Sequence, residues 1–178
     1  QFDFLKDRVI IINGLSKGFA MTGWRLGYIA APVEIAKACD KIQGQFTSGP
    51  NSVTQRAAIA ALLGDLRPTH IMVEKFKERR QKVMQLINGI PGVICNEPPG
   101  AFYIFPDVKS YFGKTTAAGE IIHNADDLCM YFLNTAHVSV VTGKAFGEPN
   151  CIRISFANSS ENIEKGFEKI RKALLELK

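Results

Sequence analysis

A primary amine and a guanidinium stand eight positions apart, Lys17 and Arg25, in the segment Gly14-Leu15-Ser16-Lys17-Gly18-Phe19-Ala20-Met21-Thr22-Gly23-Trp24-Arg25-Leu26-Gly27. Glycines around the lysine allow a tight turn, from which a rigid backbone can project the amine into a cleft. Arg25 follows after a short loop, where its planar fork can grip an anion, phosphate above all. An amine beside an anion clamp suits a reactant with an aldehyde at one end and a phosphate at the other. The amine forms a Schiff base and the guanidinium holds the charge. Such a lysine can afterwards move protons. The competing reading is that a lysine in a glycine-rich turn is a surface residue, and residue types alone leave both open.

Near the other end, Arg153 lies in Cys151-Ile152-Arg153-Ile154-Ser155-Phe156-Ala157. Apolar neighbours on a strand pattern suit an arginine paired with a core acid and, equally, one presenting its fork to a ligand's carboxylate. Between the two segments lies Pro99-Gly100-Ala101-Phe102-Tyr103, in which Phe102 reads as a core residue.

The elements that must position these groups can be traced in order. The β-branched run Arg8 to Ile12 (RVIII) predicts a strand buried on both faces. After Trp24, LGYIAAP predicts a second short strand stopped by Pro32, which suits the first turn of a helix from Val33 to Gln45. TSGPN breaks that helix, and an Ala-rich helix is expected from Asn51 to Leu63. A longer helix, Thr69 to Ile87, sets KFKERRQKV against an apolar stripe of Ile71, Phe76, Val83 and Ile87. Beyond INGIPG the grain shortens: VICNEP, AFYIFPDV, HVSVVTG and CIRISFA read as strands, with helices from Asn124 to Thr135 and from Ser159 to the end. The expectation is an α/β layer followed by a smaller α+β unit.

With 178 residues, 46% of them hydrophobic, the chain can bury one sizeable core or a small domain with part of another, and disorder is excluded. A net charge of +5 is spread among acidic residues with no long basic run, which argues against nucleic acid as a partner. Cys39, Cys95, Cys129 and Cys151 show no zinc spacing and read as reduced core residues of a cytoplasmic protein. No apolar run is long enough to span a bilayer, and QFDFLKDR lacks the layout of a signal peptide. The chain opens on Gln1 and runs almost at once into an apolar strand, as a stretch from inside a larger protein would.

The string NGLSKGFAMTGWRLGY resembles the cofactor-lysine signature of the class I, fold-type I, pyridoxal-phosphate-dependent aminotransferases, in the branch holding many bacterial aspartate aminotransferases. CIRISFA is similar to that family's late strand, and PGAFY to its small-domain segment approaching the substrate. The resemblance implies pyridoxal 5′-phosphate as cofactor, Lys17 as its Schiff-base and proton-transfer residue, Arg25 on its phosphate and Arg153 on the substrate α-carboxylate. It implies residues 1–74 as the later part of the large domain and 75–178 as the small α+β carboxyl-terminal domain. Amino acid and 2-oxo acid substrates, aspartate foremost, and a homodimer are implied too. Gln45-Phe46-Thr47-Ser48-Gly49-Pro50 aligns with a loop that in similar enzymes helps bind the neighbouring subunit's phosphate, although Thr47 and Ser48 suit loop capping equally. His70, His123 and His137 match no functional position, and His137 reads as structural.

In similar proteins the aspartate on the ring nitrogen, the ring-hydroxyl contacts, the aromatic stacked on the ring and most of the phosphate loop precede the lysine. A chain of these 178 residues is therefore expected to be catalytically feeble alone. A lyase on the same scaffold would share Lys17 and both arginines, and a non-catalytic sensor domain of a transcription regulator can keep the lysine and the cofactor.

Overall fold

Two short strands, β1 (Ile11–Gly14) and β2 (Gly27–Ala30), pair antiparallel, with Ile11 opposite Ala30 and Gly14 opposite Gly27. They belong to a computed structural model that describes residues 3–178. The chain divides into two compact units, Gln1–Met72 and Val73–Lys178.

In the first unit, Asp3–Arg8 forms a 3-10 turn, so Arg8 ends that turn rather than starting β1. Helix α1 (Val33–Phe46) begins after Pro32, as the fixed φ of proline favours. Helix α2 (Ser52–Leu63) is capped by Asn51, whose side chain accepts from the amides of Val53 and Thr54. Its small residues let it approach the loop between the strands: Leu15, Met21 and Ala58 are buried together, with Phe19, Leu26, Ala57 and Ala61 packed around them.

One expectation is corrected here. The β-branched run predicted as buried on both faces is open, with Ile11 55% and Ile12 79% exposed. Continuous apolarity specifies a strand covered above and below, whereas β1 is paired with β2 alone in a two-stranded sheet.

Helix α3 (Arg67–Asn88) carries the division between the units. Val83, Met84 and Ile87 are buried, Phe76 packs against the core of the second unit, and Lys75–Glu78 and Lys77–Glu74 ion pairs line the wet face. Ile71, assigned to the apolar stripe by its spacing, is 64% exposed.

The second unit holds an antiparallel sheet ordered β3 (Tyr103–Ile104), β5 (Ile152–Ser155), β4 (Val141–Thr142). Helix α4 (Ala125–Tyr131) runs on into a π turn, Phe132–Ala136, and α5 (Ser160–Leu175) starts at the Ser159 cap. Phe132, Phe156, Ile87, Ile104 and Leu128 are almost wholly buried in one core, joined by Ile163, Phe167, Ile170 and Leu174 of α5. Large side chains of this kind contribute about 1.5–3 kcal/mol each. The strand predicted in VICNEP reduces to a single bridge, Ile94 to Asp107. Pro98 and Pro99 end the segment without backbone donors that could extend a ladder. HVSVVTG keeps only Val141 and Thr142 in strand pairing.

The outcome is the α/β mixture that the sequence predicts. Among the described residues, no helix is long and apolar enough to cross a membrane, and no cluster of His, Cys, Asp or Glu could hold a metal ion. The cysteines are free: Cys151 is buried and Cys95 and Cys129 pack half-buried against the core, whereas Cys39, exposed on α1, departs from the core role expected of all four.

Candidate active site

Residues 15–26 form the loop that joins β1 to β2, and both of its cationic residues sit on backbone held by hydrogen bonds. The Leu15 amide donates to the Leu26 carbonyl at 3.2 Å, while the amides of Phe19 and Met21 donate to the Leu15 carbonyl at 3.3 and 3.4 Å. Across the loop, the Thr22 hydroxyl donates to the Ser16 carbonyl at 2.9 Å and Arg25 Nη1 donates to the Thr22 carbonyl at 2.8 Å. Leu15, 1% exposed, and Met21, 8% exposed, anchor the loop on α2.

Two non-glycine residues of this loop take left-handed backbone, Ala20 at φ 54° and Arg25 at φ 53°. Such conformations cost on the order of 1–3 kcal/mol each and persist where surrounding contacts over-determine them. At Arg25 the conformation closes the turn Thr22–Trp24 and delivers the chain into β2.

Lys17 and Arg25 open on different depressions of this unit. Lys17 is exposed and borders a cavity of about 500 Å³ with Asn13, Ser16, Phe19, Tyr28 and Leu62. Arg25 borders one of about 820 Å³ with Trp24, Gln43, Thr47, Pro50 and Asn51. The second cavity is lined by the end of α1 and the segment that follows it, where Gln43 Nε2 of α1 donates to the Thr47 hydroxyl and Ser48 takes φ 60°. Asn51, absent from the sequence-based site, joins this wall; its preference for helix N-caps ahead of an Ala-rich run was the available signal.

In the second unit Arg153 occupies β5, whose alternation is visible in burial: Ile152 and Ile154 are 2% and 8% exposed on the core face, while Arg153 is half-buried on the opposite one. Tyr103 pairs with Ser155 and Val141 with Arg153, so period-two alternation puts Tyr103 on the face that carries the arginine. The guanidinium carbon lies 4.4 Å from the Tyr103 ring centroid and 4.4 Å from that of Phe146. Phe146, on the turn after β4, meets Phe105 edge-on at 6.1 Å. No carboxylate pairs with Arg153 among the described residues, so the core-acid alternative finds no partner there. Phe102 is half-buried and packs against the core. Phe146 was missed by sequence reasoning, because a phenylalanine in a KAFGEP turn carries no periodicity to mark it.

The histidines stay apart from these features: His137 takes φ 55° beyond the π turn, where its amide donates to the Phe132 carbonyl, a structural place.

Comparison with known proteins bears on these arrangements. Residues 3–170 match the family described as aminotransferase class I and II. A bifunctional aspartate aminotransferase and glutamate/aspartate-prephenate aminotransferase of Petunia hybrida is 48% identical over 97% of this chain, which covers 36% of that relative. An aspartate aminotransferase of Rhizobium meliloti is 43% identical over 95% of the chain and 41% of its own length. Among solved structures, the aspartate aminotransferase from Rhizobium meliloti superposes with a TM-score of 0.94 at 41% identity, over 98% of this chain and 44% of that one. The aromatic aminotransferase from Pyrococcus horikoshii follows at 0.87 and 34% identity, over 98% and 45%. The chain thus spans about two fifths of the length of these relatives.

Proposed function

Because the chain belongs to the class I and II aminotransferases, whose cofactor is pyridoxal 5′-phosphate, we propose that the full-length protein transfers an amino group from an L-amino acid, aspartate foremost, to a 2-oxo acid. One observation supports the reading above others: a single loop, pinned by Leu15 and Met21, carries an amine and a guanidinium eight positions apart, each bordering its own open cavity. That donor set fits a group with an aldehyde and a phosphate, the amine for one and the guanidinium for the other.

In this reading Lys17 holds the cofactor through its Nζ and Arg25 binds the phosphate. When bound, pyridoxal phosphate supplies a carbonyl that takes up the amino group and a ring that withdraws electrons from the substrate. Lys17 Nζ would take the proton from the substrate α-carbon and pass it to the C4′ carbon that receives the amino group, so that the substrate can leave as a 2-oxo acid. Arg153 would donate its N–H edges to the α-carboxylate and so fix which bond at the α-carbon stands exposed to the lysine. Residues 1–74 then continue the cofactor-binding domain and 75–178 form the small one, in a cytoplasmic homodimer.

Borohydride treatment of the full-length protein with pyridoxal phosphate tests this directly. A reduced label on the Lys17 peptide, with aspartate bleaching the cofactor absorbance and releasing a 2-oxo acid, is the expected result. Label without bleaching would favour a lyase or a sensor, and a label absent from Lys17 would sink the assignment.

A further inference from the structure

We propose that Tyr103 and Phe146 are positioning residues that clamp the Arg153 guanidinium, setting the orientation in which it meets a substrate carboxylate. The inference rests on the reading of Arg153 as the carboxylate-binding residue and adds how that residue is held.

The geometry carries the argument. An arginine has roughly 2 kcal/mol of rotamer freedom to lose before it can present a fixed fork. Ion pairing or hydrogen bonding from a neighbour is the usual means of fixing it, but both occupy the N–H edges that a ligand needs. Here the guanidinium carbon stands 4.4 Å from each of two ring centroids, within cation–π range. A ring that meets the face of a guanidinium leaves its in-plane donors available, the edges that bind a carboxylate bidentately, and in this proposal both rings do so.

The two rings are themselves supported. Tyr103 lies 4.4 Å from Phe102, which lies 6.1 Å from Phe76 of α3, and Phe76 is 6.3 Å from the buried Phe156. On the other side Phe105 meets Phe146 edge-on at 6.1 Å. Arg153 is therefore the cation in a chain of rings that begins in the core. Phe146 is 50% exposed, so replacing it leaves no large cavity in the fold.

The test uses the full-length, cofactor-loaded protein and four ring variants: Tyr103→Leu and Phe146→Leu, which remove a face, and Tyr103→Phe and Phe146→Tyr, which keep it. Two quantities are read, the calorimetric Kd for succinate, a dicarboxylate that cannot react, and the split between KM and kcat for aspartate. Each leucine variant is expected to weaken succinate binding and raise KM roughly five- to thirtyfold, with kcat much less changed and pyridoxal phosphate affinity unaltered. The ring-retaining variants should stay within about twofold of the parent. Leucine variants that bind succinate like the parent would overturn the clamp, as would a Tyr103→Phe loss equal to that of Tyr103→Leu. Arg153→Lys is the control for the underlying reading: if it leaves succinate binding untouched, the carboxylate assignment fails and the clamp with it. Weak binding in Arg153→Lys beside normal leucine variants rejects the clamp alone.

Discussion

The Leu15 amide donates to the Leu26 carbonyl at 3.2 Å, and this contact turns the segment bearing Lys17 and Arg25 into a closed loop. Leu15 is also 1% exposed, in a cluster whose buried members among the described residues are Leu15, Met21 and Ala58. So small a cluster has little redundancy. Leu15→Ala is expected to cost about 2–4 kcal/mol of local stability. It should also weaken pyridoxal phosphate binding by the full-length protein roughly tenfold, since about 1.4 kcal/mol of lost preorganisation suffices. Denaturant unfolding and a cofactor titration check the two effects, and tight binding by the variant would mean that the loop is held by something other than its apolar anchor.

Asn51 accepts from the Val53 amide at 2.8 Å and the Thr54 amide at 3.3 Å, starting α2 where it supports the same loop. Asn51→Ala should cost about 1 kcal/mol, a fall in Tm of roughly 2–4 °C, while Asn51→Asp should keep most of the cap. Thermal melts of the two variants separate a cap from a contact of the amide group, which aspartate would lose.

The loop that carries Lys17 and Arg25 was legible because its signals are local: glycines, amine and guanidinium are neighbours in sequence. Helices were legible for a similar reason, since Asn51, Ser159 and Pro32 announce starts within one turn of the backbone. Strand burial was not. The run ending in Ile12 states what a strand requires on its faces, whereas exposure depends on what is packed there. The surroundings of Arg153 were half legible: Tyr103 follows from alternation along β3 and β5, but Phe146 reaches the arginine from a turn that no period predicts.

Burial, and then the charge of Asp126, push the Cys129 thiol up to about 11 from the usual 9.0. The folded chain therefore keeps this proton at a pH where the unfolded chain has released it, so the stabilisation is present below pH 9 and fades as pH rises toward 11. Denaturant midpoints measured from pH 8 to 11 should fall, and Cys129→Ala should flatten the fall. In the folded protein at pH 8, a thiol reagent should modify the exposed Cys39 well before Cys129. Equal rates would show that α4 opens to solvent.

Gly143 links the β4 strand to the turn that carries Phe146. Its amide donates to the Cys151 carbonyl at 2.7 Å, and the Glu148 amide donates to its carbonyl at 3.1 Å. A β-carbon there would collide with the carbonyl oxygens of Glu148 and Cys151, both backbone atoms unable to swing aside. Gly143→Ala must therefore shift either the turn or the start of β5, at a cost of about 1–3 kcal/mol. The two responses differ in function. A shifted turn moves Phe146 off Arg153 and should raise KM for aspartate with kcat nearly kept, whereas a shift in β5 moves Arg153 itself and should depress both kcat and kcat/KM. Steady-state kinetics beside a thermal melt tell these apart, and a variant with parental Tm and KM would show that this close approach of backbones does not hold the ring in place.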